Sequence, residues 1–138
     1  MRTFLFSIYI LLSGLSLKAQ DAPFADDIRR FKEMDKLQTP PKNAILFIGS
    51  SSFTMWKDVA QYFPGYTVIN RGFGGSSLPD LLRYEKDILF PYRPKQVVIY
   101  CGENDFAASD TVTTETVVGR FRQLFSDIRQ ALPNAAIA

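Results

Sequence analysis

Apolar positions along this chain fall into two alternating patterns. Three short runs, Ile45-Leu46-Phe47-Ile48, Tyr66-Thr67-Val68-Ile69 and Gln96-Val97-Val98-Ile99-Tyr100-Cys101, are of strand length and almost unbroken. Runs of that kind, bounded by turn residues, predict buried strands of a parallel sheet. Between them the apolar residues recur at helical spacing. Ile28, Phe31, Met34 and Leu37 predict a helix over 21–37, closed by Pro40-Pro41. Met55, Trp56, Val59, Tyr62 and Phe63 predict one covered face of a short helical stretch, ended by Pro64-Gly65. Leu78, Leu81, Leu82, Ile88 and Leu89, with a polar break at Glu85, predict a helix over 78–89, with Ser77 as N-cap and Pro79 in the first turn. Val117, Val118, Phe121, Leu124, Phe125, Ile128 and Leu132 mark the expected buried stripe of a long helix over 114–131, stopped by Pro133-Asn134. Ala135 to Ala138 reads as the start of a fourth strand.

Strand, loop and helix thus alternate three times and begin a fourth cycle. That order predicts an α/β fold, a three-layer flavodoxin-like sandwich in which a parallel sheet carries helices on both faces. Right-handed crossovers bring the carboxyl ends of all strands to one edge. Three loops then converge there: Gly49–Ser52, Asn70–Ser77 and Gly102–Asp105. In open α/β sheets this edge is where ligands bind.

Composition narrows the classes. The 138 residues suffice for one domain with a core, and 46% of them are apolar. The formal net charge of +2 comes from the first twenty residues, which hold Arg2 and Lys18 and no acid. Beyond them, 14 basic residues balance 14 acidic ones, which argues against a nucleic-acid partner or an anionic membrane surface. Cys101 is the single cysteine, so no internal disulfide forms; it is expected as a small buried hydrophobe. Arg2, the apolar stretch from Phe4 to Leu17 and the small residue Ala19 fit a secretory signal peptide over 1–20. The expected location is therefore secreted or periplasmic, with no stable membrane insertion once the signal is cleaved.

The loops carry the candidate chemistry. Ser50, Ser51 and Ser52 follow a strand through Gly49; read alone, they are a nucleophile, a phosphate cradle or a plain polar turn. Asn70-Arg71-Gly72-Phe73-Gly74-Gly75 offers glycines that permit close backbone approach. Gly102-Glu103-Asn104-Asp105 brings a carboxamide to the end of the third strand. Ester hydrolysis needs a nucleophile, donors for the developing oxyanion and a base. The first two parts have candidates; no histidine exists anywhere in the chain. Arg71 reads as a surface charge, Trp56, Tyr62 and Phe63 as core aromatics, and Asp105 as a residue holding its loop by hydrogen bonds. Glu103 and Asp105, without a third ligand, do not make a metal site.

In these three segments the chain resembles the SGNH, or GDSL-type, hydrolases. Gly49-Ser50-Ser51 resembles the first block, Gly-Asp-Ser, with Ser50 where the family has Asp. Asn70-Arg71-Gly72-Phe73-Gly74-Gly75 resembles the second, Asn-x-Gly-x-x-Gly, and Gly102-Glu103-Asn104-Asp105 the third, Gly-x-Asn-Asp. The resemblance implies Ser51 as nucleophile and Gly75 and Asn104 as oxyanion-hole donors, with no metal and no organic cofactor. It implies a small-molecule or glycan ester as substrate. The family's fourth block, Asp-x-x-His, which carries the base, has no counterpart here. The expectation is therefore an incomplete hydrolase domain over 21–138, its carboxyl-terminal part missing, with an exposed sheet edge and incompletely covered helix faces. The rival expectations are a flavodoxin-like module binding phosphate through Gly49–Thr54, and a non-catalytic glycan-binding relative.

Overall fold

The structure is a computed structural model that describes residues 22–138. The segment read as a signal peptide, residues 1–20, lies outside the described residues. No helix among the described residues is long and apolar enough to cross a membrane.

Four parallel strands form one sheet in the order β2-β1-β3-β4: β1 (Ile45–Gly49), β2 (Val68–Gly72), β3 (Gln96–Tyr100) and β4 (Ala136–Ile137). The central strand β1 is buried along its whole length, as its unbroken apolar run requires. Helices α1 (Ala25–Leu37), α3 (Leu78–Ile88) and α5 (Thr114–Ala131) pack on the face that presents Leu46, Ile48, Ile69 and Val97. The opposite face is thinner. There α2 (Ser51–Met55) and a 3-10 turn, Val59–Tyr62, cover Ile45 and Phe47 with Phe53 and Val59, flanked by Trp56 and Phe63. Three layers are present, as the alternation of strands and helices requires.

Several boundaries follow from local chemistry. The Asp80 carboxylate accepts from the Ser77 N–H at 3.0 Å and from the Ser77 hydroxyl at 2.6 Å, and Pro79 occupies the first turn of α3. The Thr113 hydroxyl accepts from the Thr116 N–H at 3.3 Å and starts α5. Ring-to-ring contacts link Phe47 with Phe53, Trp56 and Phe63, so Trp56 and Phe63 belong to the second core; Tyr62 touches Trp56 from an exposed position.

Tyr62 is therefore not the core aromatic expected, and four further expectations change. First, β2 starts at Val68 and runs through Asn70 and Arg71 to Gly72, so the second loop is only Phe73–Ser77. These polar residues are tolerated in the strand because each finds partners: Asn70 Nδ2 donates to the carbonyls of Phe53 (2.7 Å) and Trp56 (3.2 Å), and its Oδ1 accepts from the Gly72 N–H. Second, Arg71 is not a surface charge. It is buried, pairs with Asp35, donates to the Tyr92 hydroxyl at 2.7 Å and lies over the Phe31 and Tyr92 rings. Third, a five-residue helix, α4 (Glu103–Ala107), forms where a loop was expected. Fourth, the apolar stripes are narrower than their periodicity implies. Only Ile28 and Phe31 of α1 are buried; Met34 and Leu37 line an open groove of about 900 Å³ beside the β2 edge. On α5, Leu124 and Ile128 are buried with Val117 and Leu132 partly so, while Val118, Phe121 and Phe125 lie on an adjacent stripe about 40% exposed.

Candidate active site

In a 2-1-3-4 sheet the connection direction reverses between β1 and β3, and the crevice outside their carboxyl ends is the topological switch point. Gly49 closes β1 at that point. Its φ is +149°, and a Cβ placed there would sit 2.0 Å from the carbonyl oxygen of Tyr100 on β3. No side chain fits, so glycine is obligatory where the two strand ends approach.

The three turns beyond the strand ends are tied into a closed ring of hydrogen bonds. The Gly49 carbonyl accepts from the Phe73 N–H at 2.9 Å and from the buried Ser76 hydroxyl at 3.2 Å, joining the first turn to the second. The Ser76 carbonyl accepts from Asn104 Nδ2 at 2.8 Å, joining the second to the third. The Ser50 N–H donates to the Tyr100 carbonyl at 3.2 Å, which closes the ring. Ser51, Gly75 and Asn104 each sit on one of these turns, on the same rim of the sheet.

The three serines are not equivalent. Ser50 is 3% exposed, and its carbonyl accepts from both the N–H (3.2 Å) and the hydroxyl (3.1 Å) of Thr54. The Ser52 hydroxyl donates to the Tyr100 phenol oxygen, and the phenol in turn faces the Glu103 carboxylate, which raises the Tyr100 pKa above its ordinary value. Ser51 opens α2 at an exposed position, and its N–H lies in the first turn, where no intrahelical acceptor exists. Gly75 has a φ of +85°, which an L side chain adopts only at a cost of roughly 1–2 kcal/mol. Asn104 spends one of its two amide hydrogens on Ser76 and keeps the other. A phosphate cradle built from Gly49–Thr54 would lose two of its N–H groups, since those of Ser50 and Thr54 are already bonded within the protein.

The third turn is held from behind. Asp105 is fully buried; its Oδ2 accepts from the Leu78 N–H at the start of α3 (2.8 Å) and its Oδ1 from Arg120 of α5 (2.7 Å). This matches the loop-holding role read for it. Beside it the Cys101 thiol donates to the Ser76 carbonyl at 3.6 Å. Burial, reinforced by the Asp105 charge, pushes the Cys101 pKa up to about 12, so it stays a neutral thiol. Ser76, Tyr100 and Arg120 were not singled out as site residues. Nothing local marks Arg120, which lies fifteen residues from its partner. Tyr100 had one visible signal, a polar-tipped residue at the carboxyl end of an apolar strand.

These features define the protein's class as a parallel three-layer α/β fold with its crevice at the β1/β3 switch point. Among solved structures, that fold is shared with GDSL-like hydrolases. A candidate platelet activating factor from Streptococcus pneumonia superposes with a TM-score of 0.69 at 19% identity, over 81% of this chain and 51% of that one. A GDSL-like lipase from Bacteroides thetaiotaomicron gives 0.65 at 20% identity, over 80% and 55%. An acetylxylan esterase from Geobacillus stearothermophilus gives 0.52 at 18% identity, over 71% and 59%. The chain spans about half the length of the first two structures. No protein-family model and no curated protein matches it.

Proposed function

We propose that this chain carries the nucleophile and the oxyanion-binding part of a serine ester hydrolase of the SGNH type. The ring of hydrogen bonds joining the three turns around Gly49 and Ser76 is the observation that supports it most. Ser51 Oγ attacks the ester carbonyl carbon. The developing oxyanion is held by the N–H groups of Gly75 and Ser51 and by the remaining Asn104 amide hydrogen. Each such donor contributes about 3–4 kcal/mol in sites of this kind. The alcohol leaves, and water releases the acid from the acyl-serine. The proton of Ser51 needs a base. These 138 residues contain no histidine to take it. The neighbours' names, lipase and acetylxylan esterase, support a small-molecule or glycan ester as substrate. The amino-terminal pattern of Arg2 and the apolar Phe4–Leu17 supports export to a secreted or periplasmic location, with no stable membrane insertion of the mature chain. The balanced charge beyond residue 20 fits a neutral ester better than nucleic acid.

A fluorophosphonate probe tests the nucleophile directly, with added imidazole standing in for the absent base. The expected result is imidazole-accelerated labelling that mass spectrometry localises to Ser51 and that Ser51→Ala abolishes. Labelling localised to Ser50 or Ser52 rejects the assignment.

A further inference from the structure

The rim beside the candidate site carries chemistry that the reaction itself does not use. Tyr100, the last residue of β3, is 47% exposed, and Phe106 on α4 is 45% exposed. Glu103 lies three residues before Phe106 on the same short helix, so the two side chains share one side of it. The Tyr100 phenol sits between the Glu103 carboxylate and the Ser52 hydroxyl, while its ring leans on the buried Phe53 with centroids 6.0 Å apart. These contacts fix the ring and leave about half of it open. No basic side chain pairs with Glu103 among the described residues.

We propose that Tyr100, Glu103 and Ser52 form a sugar subsite adjoining Ser51, which takes the alcohol part of a glycan ester; the assignment rests on the ester-hydrolase reading above. A pyranose offers an apolar face of C–H groups and a rim of hydroxyls. The electron-rich face of the exposed ring attracts the first. The Glu103 carboxylate accepts from the second, because a carboxylate has about four lone-pair sites and the Tyr100 phenol takes one. A quaternary ammonium is the other ligand that aromatic faces attract, but it is recognised by a cage of several rings. Among the described residues the ring paired with Tyr100 is Phe53, which is buried and tilted against it. An open platform edged by a carboxylate and a hydroxyl suits the C–H face of a polyhydroxylated chair. Phe106 adds apolar surface on the Glu103 side.

Titration of the isotope-labelled chain with cellobiose or xylobiose, and separately with choline, followed by amide chemical shifts, tests this. Both disaccharides are expected to shift Ser52, Tyr100, Glu103 and Phe106. Tyr100→Leu keeps bulk against Phe53 but removes the aromatic face, and should weaken binding by about tenfold or more. Glu103→Gln, a change at an exposed position, should weaken it by about threefold. Ser51→Ala should leave sugar binding intact, which separates this subsite from the nucleophile. Sugar binding at Tyr100 without phosphonate labelling of Ser51 would uphold the subsite and sink the hydrolase reading. Labelling of Ser51 with no disaccharide shifts at about 50 mM, a level that detects even very weak sites, overturns the subsite alone. So does binding of choline in place of the sugars, or sugar binding indifferent to both the Tyr100 and the Glu103 substitutions.

Discussion

Two arginine–carboxylate pairs, each with one buried and one partly exposed member, hold this molecule, and they do different work. Asp105 and Arg120 sit behind the candidate site: the carboxylate is fully buried and also accepts from the backbone of Leu78, so it binds the third turn to the start of α3 and to the second turn of α5. Asp35 and Arg71 sit at the β2 edge with Tyr92, and their partners lie on none of the three turns. Both Arg71 and Asp105 fall inside segments that resemble family motifs. Only one of them supports the site. Where a polar residue's partners lie, and not its place in a motif, decides what its removal disturbs.

The largest expected effect is Asp105→Ala. It leaves the Leu78 N–H without its acceptor and the partly exposed Arg120 guanidinium without its pair, which together cost about 3 kcal/mol, the low end for breaking a buried pair from one side. Denaturant unfolding measures the loss; labelling of Ser51 should fall even under conditions where the variant remains folded. Arg71→Met comes next, at about 2–3 kcal/mol, because Asp35 keeps its bond from Tyr92 and is partly exposed to water. Here Ser51 labelling per folded molecule should be unchanged, and Asp35→Leu on top should recover most of the stability. If Arg71→Met impairs labelling as Asp105→Ala does, the contrast between the two pairs fails.

A smaller effect lies in alkaline stability, and each region contributes one group. Burial, with Asp35 as hydrogen-bond acceptor, pushes the Tyr92 pKa from 10.0 up to about 12. Cys101 rises from 9.0 to about 12. Both are acids whose neutral form is favoured by folding, so the native state holds protons that the unfolded chain has released. Their contribution is intact below pH 9 and is lost as pH rises through 9–12. Cys101→Ala should flatten the fall from pH 9 upward, and Tyr92→Phe only that above pH 10. Cys101 should also resist thiol reagents at pH 8 until the chain unfolds.

Much of this architecture was legible in the residues, for identifiable reasons. The run Ile45–Ile48 is apolar on both sides because β1 is central, and α5 begins and ends as read because Thr113 caps it and Pro133 stops it. The strand at Val68-Ile69 was legible, but the continuation of β2 to Gly72 was not. Asn70 and Arg71 look like loop residues, and only their distant partners Phe53, Trp56, Asp35 and Tyr92 let them enter the sheet. Helix α4 was missed because five residues show no period. The apolar stripe of α5 was too generous, since Val118, Phe121 and Phe125 are rotated off the buried line. At the site, the glycines at 49 and 75 announced turns, but the distinction among Ser50, Ser51 and Ser52 came only from who bonds to whom.

The central claim is that a hydroxyl, a peptide N–H and a carboxamide from three turns surround one point. A crystal structure of the fluorophosphonate adduct tests it most directly. The account predicts phosphorus on Ser51 Oγ, with the phosphoryl oxygen about 2.7–3.1 Å from the Gly75 nitrogen and Asn104 Nδ2. A phosphoryl oxygen turned to solvent, with Gly75 and Asn104 out of hydrogen-bonding reach, would contradict it.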